Sequence, residues 1–217
     1  KPASGALGAC RRWSAGVEAI EQGPPGRVPL ADGTAVTAHA VILAVTPVQA
    51  AALYPALKDL RGTTDAVPAK VACLDIGLAR LPCADIRFAL GVDRPLYFSV
   101  HSAAARLAPQ GAALVHTMRY LEPGETFDRD RLIADLEAFM DLVQPGWRAV
   151  ERARQFLPAM PVISAIPLAA TCGLDGRPDV VARNVEGLFI CGDWVGPVGL
   201  LSDAAAVSGR TAGEAAS

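Results

Sequence analysis

The sequence has no run of Lys or Arg: its 20 basic and 22 acidic residues are interspersed and leave a formal net charge of -2. A protein that neutralises phosphates needs a clustered basic face, so nucleic acid is excluded as a main partner. Cysteine is sparse. Cys10, Cys73, Cys83, Cys172 and Cys191 are odd in number and never spaced C-x-x-C, which argues against both a disulfide framework and a zinc site and makes a reducing, cytoplasmic setting the expectation. His39, His101 and His116 each stand singly, without a carboxylate or Cys at ligand spacing, and no metal is assigned. Long hydrophobic runs are missing too. The most apolar stretch, Ala38 to Tyr54, is broken by Thr46, Pro47 and Gln49 and falls short of the roughly 20 apolar residues of a membrane helix. No crossing of a bilayer is expected, while peripheral membrane contact stays open. Neither an initiator Met nor a signal-like segment precedes Lys1, so the expectation is a piece of a longer chain.

What is present suits a globular domain. At 217 residues, 52% hydrophobic and 19% charged, the chain can bury about 70% of the surface its unfolded form exposes. Val17–Ile20, Arg27–Leu30, Ala35–Thr37 and Val41–Val45 are short β-favouring runs divided by Gly23-Pro24-Pro25-Gly26 and Ala31-Asp32-Gly33, the pattern of a small meander. The last run is apolar on both faces, as in a strand buried in a parallel sheet, and Thr46-Pro47 ends it. Gln49 to Leu57 reads as a short helix. Lys70–Ile76, Arg87–Leu90, Leu96–Val100 and Ala112–Tyr120 predict an antiparallel sheet. Asp128 to Val143 places Leu132, Leu136, Phe139 and Val143 at helical spacing behind an Asp128 N-cap, an amphipathic helix with one face on a sheet.

The closing segment carries the most chemistry. Gly187-Leu188-Phe189-Ile190-Cys191 reads as a buried strand, Gly192 to Gly199 as a Gly/Pro loop, and the Ala-rich stretch from about Leu201 as a helix. Gly192 permits close backbone approach. Asp193, just off the strand end, can accept hydrogen bonds from sugar-like hydroxyls. The helix start offers free N–H groups and about half a positive charge.

The string GLFICGDWVGPVGLLSDAAAVSGRTAGEAA closely resembles the C-terminal FAD-binding signature of the flavin-containing amine oxidase and phytoene desaturase superfamily. VTAHAVILAVTPVQAAALYP is similar to the strand that leads from the FAD domain to the substrate domain there, and FALGVDRPLYFSVHS with LAPQGAALVHTMRYL resembles the substrate-domain hairpin of the phytoene desaturase-like branch. The resemblance implies an α/β (α+β) fold: a partial Rossmann-like FAD/NAD(P)-binding domain, residues 1–46 and 185–217, with an inserted antiparallel-sheet substrate domain at 47–184. It also implies FAD as cofactor and hydride removal from the substrate to flavin N5. Gly192, Asp193, Trp194, Gly199, Leu200 and Leu201 are the implied cofactor-binding residues, with Trp194 either stacking on the cofactor or packing. Ser208-Gly209 is the small pair on which the helix packs closely. Lys70 falls where amine oxidases of the family hold a water near N5 and is the implied catalytic residue.

The departures carry information as well. No G-x-G-x-x-G follows a strand, so the ADP half of the FAD site is absent, and the missing N-terminal FAD-binding segment is an implied partner. The loop after Asp193 lacks the Tyr or Phe of an aromatic cage, which argues against an amine substrate. The Ala/Leu/Val/Phe-rich middle of the chain suggests a small apolar, isoprenoid-like one. Two alternatives stay open: a non-catalytic escort of prenylated proteins with the same fold, and an inactive truncated fragment.

Overall fold

The computed structural model describes residues 12–21, 26–182 and 185–217. The chain divides into two compact units: Lys1–Ala66 with Pro167–Ser217, and Val67–Ile166.

The Val67–Ile166 unit is a five-stranded antiparallel sheet with one long helix. Its strands are β4 (Ala69–Leu78), β5 (Phe88–Leu90), β6 (Leu96–Val100), β7 (Ala113–Leu121) and β8 (Glu151–Ile163), in the order β5-β6-β7-β4-β8. Side chains alternate across a strand, and one face gathers Ala72, Leu74, Ile76, Leu78, Phe98 and Val115 against the helix α2 (Arg129–Val143). That helix begins as the sequence predicts: Asp128 accepts from the Asp130 and Arg131 N–H groups, satisfying donors that would otherwise be orphaned. Leu132, Leu136, Phe139, Met140 and Val143 form its buried stripe. Burying each such side chain contributes about 1.5–3 kcal/mol. Gln144, fully buried just past the helix, donates to the Cys83 and Ile86 carbonyls and accepts from the Cys83 N–H, so the β4–β5 connection is pinned to the helix end.

The sequence reading missed β8. Pro158 and Pro161 interrupt its pattern, and Arg152 and Arg154 add charge. Both features fit its position as an edge strand, paired among the described residues with β4 alone, where a missing N–H can face away from the ladder. The pairing slips between Val71 and Cys73, which face Met160 and Leu157, so the extra residue falls at Pro158-Ala159. Arg154 binds Glu151 at 2.5 Å and Glu137 of α2 at 2.5 Å, charging the outer margin of an edge otherwise open to strand addition.

The Lys1–Ala66 and Pro167–Ser217 unit is built from shorter pieces. β1 (Gly26–Pro29) and β2 (Ala35–Ala38) form an antiparallel hairpin. Val17–Ile20, expected as a strand, makes an isolated bridge at Val17–Leu30, with a second at Glu21–Arg27. The turn expected at Gly23 to Gly26 lies largely outside the described residues, as do Cys10 and the domain return expected at Asn184. β3 (Val41–Leu43) pairs in parallel with β9 (Leu188–Ile190), yet Ile42 is 39% exposed, so the strand is not buried on both faces as expected. Thr46 caps α1 (Pro47–Leu53) in a reciprocal capping box with Gln49. The expected helix to Leu57 stops short because Pro55 has no N–H to continue it; a 3-10 turn over Pro55–Asp59 follows.

These contacts correct the expected domain boundaries. Residues 47–66 pack with the N-terminal meander, where the Ile20 N–H donates to Leu53 O at 2.9 Å, and the change of unit comes at Ala66/Val67 rather than Pro47. The return comes at Ile166/Pro167 rather than Asn184.

Candidate functional site

The closing strand, loop and helix form as the sequence predicts: β9, then Cys191 to Leu200, then α3 (Leu201–Ala215). β9 is paired on both sides. β3 lies along one edge, and on the other the Ile190 N–H donates to Val180 O at 2.8 Å, beside a Val181–Phe189 bridge. Ser208, 2% exposed on α3, ties helix to strand end: its hydroxyl accepts from the Gly192 N–H at 3.1 Å and sits 2.7 Å from Ala204 O. Of the Ser208-Gly209 pair, Ser208 makes this clasp, while Gly209 has open space where a Cβ would stand.

Gly192 is constrained from within the chain. Its φ is +155°, and a Cβ there would come within 2.8 Å of the Trp194 indole nitrogen. The group that requires a glycine is the protein's own tryptophan. Trp194 is 1% exposed and donates its indole N–H to Val45 O at 3.0 Å. Of the two readings of this residue, packing is the one the geometry supports, and its bond locks the loop to the end of the strand that precedes α1.

The start of α3 is open. Gly199 holds φ +75°, where an added Cβ would meet Asp203 Cβ at 2.9 Å; Leu201 follows at φ +52°, a conformation L residues rarely adopt. Leu200 occupies the N-cap with no side-chain hydrogen bond to the first turn. Leu200 and Leu201 are about half exposed, at 54% and 49%, together with Val198. A helix tip flanked by exposed apolar side chains therefore presents backbone donors and the positive end of the helix dipole without a capping side chain.

Sequence reasoning missed Arg177. It follows Gly176, where a Cβ would overlap the Thr171 carbonyl, and the resulting tight loop aims the guanidinium at the α3 entrance. Nη1 donates to Gly199 O at 3.0 Å, while Nε is buried without a hydrogen-bond partner among the described residues. Burial depresses the Arg177 pKa below its ordinary value, and the negative charge of Asp193 opposes part of that shift. Asp193, half buried, and the Arg177 cation thus stand close enough to feel one another's charge near the start of α3. A lone Arg in a Gly/Pro loop has no spacing that marks it; its meaning comes only from the fold. Beside this entrance, a mostly apolar cleft of about 310 Å³ runs along α3, lined by Val180, Val195, Pro197, Val198, Val207 and Thr211 among others. Lys70, the implied catalytic residue, is an exposed residue of β4 and belongs to the other unit.

Against known proteins, no family model matches the chain and no curated protein does. Solved structures do. An oxidoreductase from Methanosarcina mazei superposes with TM-score 0.65 at 17% identity, over 92% of this chain and 49% of its own. The chain has the fold of about half of such an enzyme. A reduced UDP-galactopyranose mutase gives TM-score 0.66 at 12% identity, over 92% of this chain and 46% of its own, and a triple mutant of putrescine oxidase, redesigned in its cofactor binding, gives 0.61 at 12%, over 93% and 48%. The chain spans about half the length of each. This likeness agrees with the mixed α/β architecture that the resemblance implies, an antiparallel sheet inserted into a unit made from both ends of the chain.

Proposed function

We propose that this chain is the C-terminal part of an FAD-dependent oxidoreductase, with the Asp193–Arg177–α3 entrance as the place where it meets the flavin end of the cofactor. The observation that carries the reading is the uncapped α3 tip with Arg177 Nε buried and unpartnered beside it, since a buried donor without a partner calls for one. Asp193 would accept from hydroxyls of the ribityl chain, Arg177 would donate to an anionic or carbonyl oxygen, and the first-turn N–H groups of α3 would face the pyrimidine edge of the ring, where the helix dipole favours negative charge. Gly199 and Leu201 hold the tip in place, and Trp194 fixes the loop from behind. When bound, FAD supplies the hydride acceptor. The residues for its ADP half, a strand followed by G-x-G-x-x-G, are not in this sequence, and an N-terminal segment that carries them is the implied partner.

The Val67–Ile166 unit is read as the substrate side. Opposite the helix, the sheet face carries Phe88 and Leu90, each 58% exposed, with Tyr97, whose ring meets Phe88 edge-on at 5.5 Å. An exposed apolar patch of this kind marks a binding surface and favours an apolar, isoprenoid-like substrate. Lys70 stays a candidate proton carrier on that unit. No helix is long and apolar enough to cross a membrane among the described residues.

Titration of the chain with FAD, followed through the visible flavin spectrum, tests the reading: saturable perturbation supports it. A spectrum that never changes, with an isoprenoid still bound, would instead favour the non-catalytic escort.

A further inference from the structure

On the face of the five-stranded sheet turned away from α2, four residue types that chemistry uses stand together. Cys73 and Asp75 are two apart on β4 and so share a face. The β4–β7 register sets Asp75 directly opposite His116, and the β6–β7 register sets His116 opposite Ser99. The Cys73 S–H donates to Asp75 Oδ1 at 2.9 Å, and His116 Nδ1 lies 2.5 Å from the same oxygen. One ligand atom from each of Cys73, Asp75 and His116 falls within 4.8 Å of the others. The His101 ring lies against His116 with centroids 3.8 Å apart. Cys73 is 1% exposed, whereas the Asp75 and His116 side chains keep 22% and 15% of their surface, enough for entry from one side.

Two atoms here are orphaned among the described residues: His116 Nε2 and Ser99 Oγ are buried with no hydrogen-bond partner there. Buried polar groups are rarely left so, and these two are cross-strand neighbours. A group from outside the chain would supply what both lack.

We infer that Cys73, Asp75 and His116 form a binding site for a divalent transition-metal ion of the zinc class. Thiolate, imidazole and carboxylate together suit such an ion and not Mg²⁺ or Ca²⁺, which take oxygen ligands. Three protein ligands leave a fourth position for water or a polar group of a bound molecule. Tetrahedral bonds of 2.0–2.3 Å set ligand atoms about 3.3–3.7 Å apart; the Cys73–Asp75 and His116–Asp75 pairs stand closer, at 2.9 and 2.5 Å, and all three atoms lie within 4.8 Å, so the side chains rotate apart to admit the ion. Binding replaces the thiol proton and releases it to solvent; burial, then the hydrogen bond to Asp75 and its charge, holds that thiol above its usual range. The inference rests on the register of β4, β6 and β7 and on the side chains they bring together, and needs no flavin. It also revises the expectation of no metal: the three ligands are brought together by strand register, which spacing along the sequence does not reveal.

Titrating the 217-residue chain with Co²⁺ and Zn²⁺ tests it. One equivalent per chain is expected, with a thiolate-to-cobalt charge-transfer band; Cys73→Ser should abolish the band and His116→Ala should weaken binding at least tenfold, while Cys83→Ser and Cys172→Ser change neither. If circular dichroism shows Cys73→Ser misfolded, Asp75→Asn and His116→Asn at the less buried positions decide the matter. No saturable binding, binding that survives both of those variants, or equal binding of Mg²⁺ would overturn the assignment.

Discussion

The two units are made in opposite ways. Val67–Ile166 is one continuous stretch whose sheet and α2 close their own core, from Leu74 and Phe98 to Leu136 and Trp147. The other unit joins three-residue strands from distant parts of the chain: β3 near residue 42 against β9 near residue 189, with Trp194 bonded to Val45. Contacts so far apart in sequence cost loop-closure entropy before they return any stability. The continuous unit is therefore expected to be the firmer scaffold, and the stitched unit, which carries the open α3 tip, the more easily opened one.

The comparison can be broken at several points. Phe98, fully buried in the continuous core, should lose about 3–5 kcal/mol on replacement by Ala, read as a fall in the denaturant midpoint; a loss below about 1 kcal/mol would mean that the sheet–helix core does not hold that unit together. In the stitched unit, Trp194→Phe keeps an aromatic side chain but loses the indole donor to Val45 O and part of the buried volume, and should cost about 1–3 kcal/mol. Hydrogen exchange locates that loss: protection should fall at β3 and β9 and hold at β4 and β7, and a uniform fall would show a single cooperative structure instead of two. Asp128→Ala removes the α2 N-cap and should cost about 0.5–2 kcal/mol, seen as a lower thermal midpoint.

The sequence made the local features legible and left the distant ones hidden. α2 was readable from Asp128 and the Leu132–Leu136–Phe139–Val143 stripe because cap and period are both local. β6 was readable for the same reason, a short apolar run between turns. β8 was not, because edge strands tolerate Pro158, Pro161 and Arg154, the residues that argue against a strand elsewhere. The domain change was placed at Pro47 since Thr46-Pro47 looks like an exit, whereas here it is the cap of a helix that stays in the same unit. At the α3 entrance, the order of strand, loop and helix was legible, and the resemblance is what drew notice to Asp193 and Gly199. Arg177 and the true neighbour of Gly192 were not, because both depend on how a loop folds back. The cluster of Cys73, Asp75 and His116 likewise depends on register alone.

The assignment of the α3 entrance to flavin stands or falls on Asp193. Removing its carboxylate by Asp193→Ala should take away a charge-assisted hydrogen bond of about 1.5–3 kcal/mol, roughly a 10- to 150-fold loss of FAD affinity, in a protein whose circular dichroism is unchanged. An FAD titration in which this variant matches the unmodified chain would contradict the assignment.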